Sequence, residues 1–95
     1  MNLRKYAKNK PCLIRLPGCS FDSEQTVLCH LRTVSTGMGK KAPDLLGAWG
    51  CANCHDIVDG RRDIEGWTHT QIYAAFLEAT IRTQEWLIKE EIVRW

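Results

Sequence analysis

The sequence predicts an α+β fold in which two short strands and a short helix form a small stapled core, closed by a long C-terminal helix. Three observations carry that expectation. Four of the five cysteines fall into two pairs, Cys12 with Cys19 and Cys51 with Cys54. Two β-rich runs, residues 25–31 and 48–50, flank a long stretch without periodicity. From Thr68 onward, apolar residues recur at helical spacing. A chain of 95 residues is of single-domain length, so residues 1–95 are expected as a single unit, with a basic arm over 1–11, a core over 12–62 and a helix over 67–94. A chain this short buries only about 60 to 65% of the surface its unfolded form exposes, which makes a staple valuable.

Each element has a local reason. In the segment from Cys12 to Cys19, Pro17-Gly18 favours a tight turn that brings the flanking residues together. The run from Gln25 to Leu31 is short and rich in β-formers, and reads as a strand ending near His30. Residues 32–47 contain Ser35, Gly37, Gly39, Pro43 and Gly47 and read as a long loop, of the kind that is either functional or disordered. Ala48-Trp49-Gly50 reads as a second strand leading into Cys51. A short helix is expected from Ala52, with Gly60 where a left-handed C-cap is wanted. Thr68 followed by Gln71 is a capping-box signal for the long helix. Ile72, Phe76, Ala79 and Thr83 share one face of it, and Tyr73, Leu77, Ile81, Ile88 and Ile92 an adjacent one. That stripe is broad enough that, with Trp86 and Trp95, its surplus could seat a second copy of the chain, although burial on the small core is the simpler use.

The formal net charge of +2 conceals an asymmetry. Residues 1–62 carry ten Lys or Arg against five Asp or Glu, a net of +5, while residues 63–95 carry three against six, a net of −3. A basic first part is what phosphate neutralisation requires, although ordinary solvated surface would look the same. The sequence has no apolar run of 18 residues and no N-terminal signal pattern, so a cytoplasmic protein without membrane contact is expected. In a reducing compartment, cysteine pairs are more often metal ligands than disulfides.

Cys51-Ala52-Asn53-Cys54 is a C-x-x-C, and Cys12 with Cys19 supplies a second, wider pair. Tetrahedral zinc wants four such thiolates from two turn-like or helix-start pairs, so a structural Zn²⁺ is expected. Cys51 to His55 also fits a c-type haem attachment pattern with Met38 as a distal ligand, but such attachment ordinarily occurs outside the cytoplasm. A thioredoxin-like redox pair would need a βαβ setting that is lacking here. His30 at a strand end and His55 on the following helix can converge across a hairpin. The first could deprotonate water, since imidazole titrates near neutral pH, and the second could hold a divalent ion against a phosphate. His69, in the first turn of the long helix, reads as structural.

In this order of residues the sequence resembles the HNH, or ββα-metal, endonucleases. More closely, the segments RLPGC, TVLCHLR, GMGKKAPDLLGAWGCANCHD and VDGR resemble the small prophage-encoded nucleases of the YbcO type, over nearly the whole chain. The resemblance implies a treble-clef-like core with a separate structural zinc, His30 as general base, His55 as ligand of a catalytic divalent cation (Mg²⁺, Mn²⁺, Ni²⁺ or Zn²⁺), and Asp44 orienting the base from the loop. It implies metal-assisted phosphodiester hydrolysis in nucleic acid, DNA first, with Arg32, Lys40, Lys41, Arg61 and Arg62 gripping phosphates. The residue before the base is usually Asp or His in such enzymes, whereas here it is Cys29, which by strand alternation points into the core. Asp56 or Asp59 could replace the missing ligand, Asp59 lying four residues from His55 on the same helical face. A zinc-stapled nucleic-acid-binding module without catalysis explains the cysteines and the basic first half equally well, and the acidic, apolar C-terminal helix leaves a protein-interaction adaptor open.

Overall fold

The computed structural model describes residues 2–31 and 43–93. Of the residues singled out above, Arg32, Ser35, Gly37, Met38, Gly39, Lys40, Lys41 and Trp95 lie outside the described residues. In chain order the elements are α1 (Leu3–Tyr6), a 3₁₀ turn (Ser23–Gln25), β1 (Val27–His30), β2 (Gly47–Gly50), α2 (Ala52–Val58) and α3 (His69–Lys89). This is a small α+β arrangement with a two-stranded sheet and a long C-terminal helix.

β1 and β2 pair antiparallel, with Val27 opposite Gly50 and His30 opposite Gly47. The register places Cys29 beside Ala48 in the core, and Cys29 is completely buried. It therefore points inward, as strand alternation requires, while the His30 side chain stays a quarter exposed. β2 is buried along its whole length, because α3 lies over it. Trp49 is the largest fully buried side chain, and its ring meets Tyr6 at 6.3 Å and Trp86 at 5.7 Å between centroids.

The start of the chain is not a free arm. Asn2 caps α1 through its side chain, Ala7 is fully buried, and Tyr6 and Lys10 both reach Glu90 at the far end of the chain. Its positive charges are thus partly spent on internal partners.

α3 begins as expected, with Thr68 and Gln71 forming the reciprocal capping box. Ile72, Phe76, Ala79, Thr80, Thr83 and Leu87 form its buried face, while Tyr73, Leu77, Ile81 and Ile88 on the adjacent face remain 38 to 57% exposed. The helix stops at Lys89 rather than continuing to 94. Glu91 takes a left-handed φ of +59°, and the N–H groups of Glu91 and Ile92 donate back to the carbonyls of Ile88 and Leu87. That is a Schellman closure, usually signalled by glycine and here made by glutamate. Among the described residues, no helix is long and apolar enough to cross a membrane.

Candidate metal centre and active site

The four paired cysteines meet at one point between the N-terminal turn and the start of α2. Leu16 to Cys19 form a turn closed by the Cys19 N–H on the Leu16 carbonyl (2.9 Å), with Pro17 second and Gly18 third at φ +89°. Phe21, held at φ +54°, aims its N–H at the Cys19 sulfur (3.4 Å). On the other side, Cys51 is the N-cap of α2, its sulfur accepting the Cys54 N–H at 3.4 Å. Asn53 ties the two halves by donating to the Gly18 carbonyl at 3.0 Å.

The Sγ atoms of Cys12, Cys19, Cys51 and Cys54 all lie within 4.8 Å of one another, with Cys19 and Cys51 at 3.6 Å. A tetrahedral zinc with Zn–S near 2.3 Å sets its sulfurs about 3.8 Å apart, so the cluster matches that geometry with small adjustments. Its protonation chemistry points the same way. A hydrogen bond from Cys54 pulls Cys12 down to about 4 and drives Cys54 up, and burial pushes Cys19 up to about 11. Burial also opposes ionisation of Cys51, but donors from Cys54 and Ser20 outweigh it and leave that thiol lowered. Four thiolates cannot coexist here without a cation, and the cluster could hold a metal ion such as zinc. Cys29 is excluded from it and stays a buried neutral thiol, pushed up by desolvation.

The two histidines sit in separate pairs. His30, at the end of β1, hydrogen-bonds through Nε2 to Asp44 Oδ1 at 2.7 Å, and the second oxygen of Asp44 lies 3.7 Å from Arg4 Nε. An ionised carboxylate only accepts, so Nε2 donates this bond, and in the neutral imidazole that leaves Nδ1 as the accepting nitrogen. Asp44 is placed by the turn that contains it: Leu46 N–H closes on the Pro43 carbonyl, Leu31 N–H on the Leu46 carbonyl, and Gln84 of α3 holds the Leu45 carbonyl at 2.8 Å.

His55, the residue after Cys54, meets Asp59 one turn later at 3.1 Å. Asp59 also takes Arg61 at 2.7 Å, and Arg61 lies 3.5 Å from Asp56. Among the described residues, the cysteines are the one group of three or more potential ligands converging on a point. Of the expected phosphate contacts, Arg61 is thus internally paired, whereas Arg62 is exposed on the rim of a cavity. Arg4 was not anticipated as part of this site. Forty residues separate it from Asp44, and no local pattern marks that pairing.

The sequence profile of the family "Putative nuclease YbcO" matches residues 1–92. The chain belongs to the YbcO family. Two similar relatives are named "Putative nuclease YbcO", from Escherichia coli (strain K12), and "Putative nuclease ybcO", from Enterobacteria phage 82. Each is 37% identical over 95 residues, covering 98% of this chain and 97% of the relative. A solved structure described as a "putative bacteriophage protein from Escherichia coli str. K-12 substr. MG1655" superposes with a TM-score of 0.77 at 32% identity. It covers 95% of this chain and 100% of its own. This YbcO-family chain therefore shares its arrangement with a solved structure over 95% of its length.

Proposed function

We propose that this chain is an HNH-type, metal-dependent endonuclease that hydrolyses phosphodiester bonds in nucleic acid, with DNA as the first candidate substrate. The observation that carries the reading is the 2.7 Å hydrogen bond from His30 to Asp44. A histidine at a strand end, held in one tautomer by a carboxylate, has the form of an oriented general base. The relatives' shared name supports nuclease function generally, and the phage relative supports a bacteriophage or prophage origin.

In this reading the four cysteines hold a structural zinc and take no part in the chemistry. His30 accepts a proton from water at Nδ1, and Asp44 stabilises the resulting imidazolium. Arg4, 3.7 Å from the second oxygen of Asp44, helps to hold that carboxylate in place. His55 and Asp59 are the residues that would hold a catalytic divalent cation, which supplies positive charge for the phosphorane-like transition state and the departing oxygen. Their nitrogen and oxygen donors suit Mg²⁺, Mn²⁺, Ni²⁺ or Zn²⁺, and Arg61 must yield its place on Asp59. Arg62, with Arg32, Lys40 and Lys41 of the connecting segment, supplies phosphate contacts. The reading includes a cytoplasmic setting, where thiols stay reduced. It also includes a homodimer contact through the exposed Leu77, Ile81 and Ile88.

A zinc-stapled binding module is the rival reading, and it gives the His30–Asp44 hydrogen bond no task. His30→Ala should lower cleavage of plasmid or linear DNA by roughly 10²- to 10⁴-fold while zinc content and DNA affinity are unchanged. Asp44→Ala should lower cleavage less. If the zinc-loaded wild-type chain cuts neither DNA nor RNA with any of the four cations, the enzyme reading fails and the binding module stands.

A further inference from the structure

We propose that the four-cysteine cluster is also an oxidation site, at which hydrogen peroxide joins Cys19 to Cys51 in a disulfide that displaces the metal ion and staples the same two elements in its place. The proposal rests on the cluster as the zinc site and is independent of the nuclease reading. Cys12, Cys51 and Cys54 are buried, whereas Cys19 is partly exposed. Cys19 ends the turn over residues 16–19, in which Pro17 and Gly18 are exposed, and the exposed Ser20 and Phe21 follow it. A small oxidant therefore reaches the cluster on the Cys19 side.

Two observations select Cys51 as the partner. The first is distance. The two Sγ atoms are 3.6 Å apart, so a disulfide of about 2.05 Å asks for a closure of roughly 1.5 Å. The second is registry: Asn53, two residues beyond Cys51, already donates to the carbonyl of Gly18, one residue before Cys19, at 3.0 Å. The turn and the start of α2 are thus held against each other by contacts that do not involve sulfur.

The step balances without a further reagent. Two thiols lose two electrons and form the S–S bond, while the O–O bond of hydrogen peroxide breaks and its oxygens leave with the two thiol protons as water. In the zinc-loaded chain the same two sulfurs are ligands, and water supplies the protons. Cys12 and Cys54 alone are too few for a closed tetrahedral site, so the ion departs. A Cys51–Cys54 bond would close within the first turn of α2 and join nothing to it. The Cys19–Cys51 bond spans 32 positions and ties the N-terminal turn to α2, constraining the unfolded chain as the metal does. Oxidation therefore exchanges one staple for another. In a reducing compartment such a bond is transient, and its reduction restores the zinc site.

The test uses the full zinc-loaded chain carrying Cys29→Ala, which removes the buried fifth thiol and leaves the cluster whole. Hydrogen peroxide is added beside a colorimetric zinc chelator, and the products are mapped by mass spectrometry without reduction. Trypsin cuts after Arg15 and separates Cys12 from Cys19, and fragmentation distinguishes Cys51 from Cys54. Zinc release should keep step with a loss of two hydrogens in mass and a Cys19–Cys51 link, and dithiothreitol with added zinc should reverse all three. The oxidised, zinc-free chain should keep its helical circular dichroism and a cooperative melt, whereas chain stripped of zinc by chelator under dithiothreitol should lose both. A first disulfide between any other pair, sulfinic acid formed without a disulfide, or zinc retained after the link has formed overturns the proposal. So does an oxidised chain that unfolds as fully as the stripped one. None of these measurements reads cleavage, so the proposal and the nuclease reading fail separately.

Discussion

Thr83→Val tests how the sheet is held on α3. Thr83 is 1% exposed, and its Oγ1 accepts the Trp49 N–H at 3.1 Å while donating to the Ala79 carbonyl at 2.8 Å. β1 occupies one edge of β2, and this hydroxyl satisfies the N–H that faces the other way. Valine keeps the shape and removes both bonds. The Ala79 carbonyl retains its helical partner, so the main cost is the Trp49 N–H left buried without an acceptor, about 1–3 kcal/mol. The added buried methyl offsets about 0.8 kcal/mol of that. The net loss is therefore about 0.2 to 2.2 kcal/mol. For a chain of this size each kcal/mol corresponds to about 4–8 °C in melting temperature. The expected fall is about 1 to 18 °C, measured by calorimetry on the zinc-loaded chain beside Thr83→Ser, which keeps the hydroxyl. A Thr83→Val protein that melts at or above the wild-type temperature would show that the hydroxyl does not secure the sheet.

Three further outcomes follow from the same geometry. Cys54→Ser should bring zinc from about one per chain to well below stoichiometric by elemental analysis, with loss of cooperative unfolding, since binding and folding of such sites are one equilibrium. Cys29 gives a pH effect: burial raises its pKa above the ordinary value of 9.0, so the folded chain retains a proton that the unfolded chain releases. Its stabilising contribution is complete below pH 9 and declines as pH rises above it, by about 1.4 kcal/mol per unit. Because the unfolded thiol is only half ionised at pH 9, denaturant titrations at pH 9 and 10 should differ by about 1 kcal/mol more in the wild type than in Cys29→Ala. In Gly50→Ala the new Cβ would lie 2.6 Å from Ile14 Cδ1 and 2.9 Å from Cys29 Sγ. Ile14 can shift its tip, but the short, fully buried Cys29 cannot, so a loss of about 1–3 kcal/mol is expected by chemical denaturation.

Where the chemistry of a residue type and its local spacing coincide, the sequence was legible. Pro17-Gly18, Gly60 at φ +81° and the Thr68/Gln71 box each sit where their backbone preference demands. The four cysteines converge because thiols of these two pairs are carried on a turn and a helix start. What escaped detection depends on tertiary packing. Glu91 ends α3 in a left-handed conformation that glutamate does not advertise, and Ile92, which fits the helical stripe, is instead the residue that closes the cap. The N-terminal segment reads in sequence as a basic arm because nothing near it answers its charge, whereas Asp44 and Glu90 do so from a distance. Asp44 reaches His30 because the turn over residues 43–46 is fastened to both β1 and α3.

The division of labour along α2 bears on how mutants should be read. Cys51 caps the helix, Cys54 lies in its first turn, His55 follows directly, Asp59 comes one turn later, and Gly60 closes it beside the cavity. Replacing Cys51 therefore also removes the cap at the start of α2, four residues ahead of His55, so in the nuclease reading loss of cleavage in such a variant would not separate scaffold from chemistry. The β1 side is different. His30 and Asp44 are held by β1, by the turn over residues 43–46 and by Gln84, none of which includes a zinc ligand. In the proposed nuclease reading, substitutions at those two positions would remove the proton acceptor or its partner while leaving the four cysteines and α2 untouched, so theirs are the kinetics that would report on catalysis.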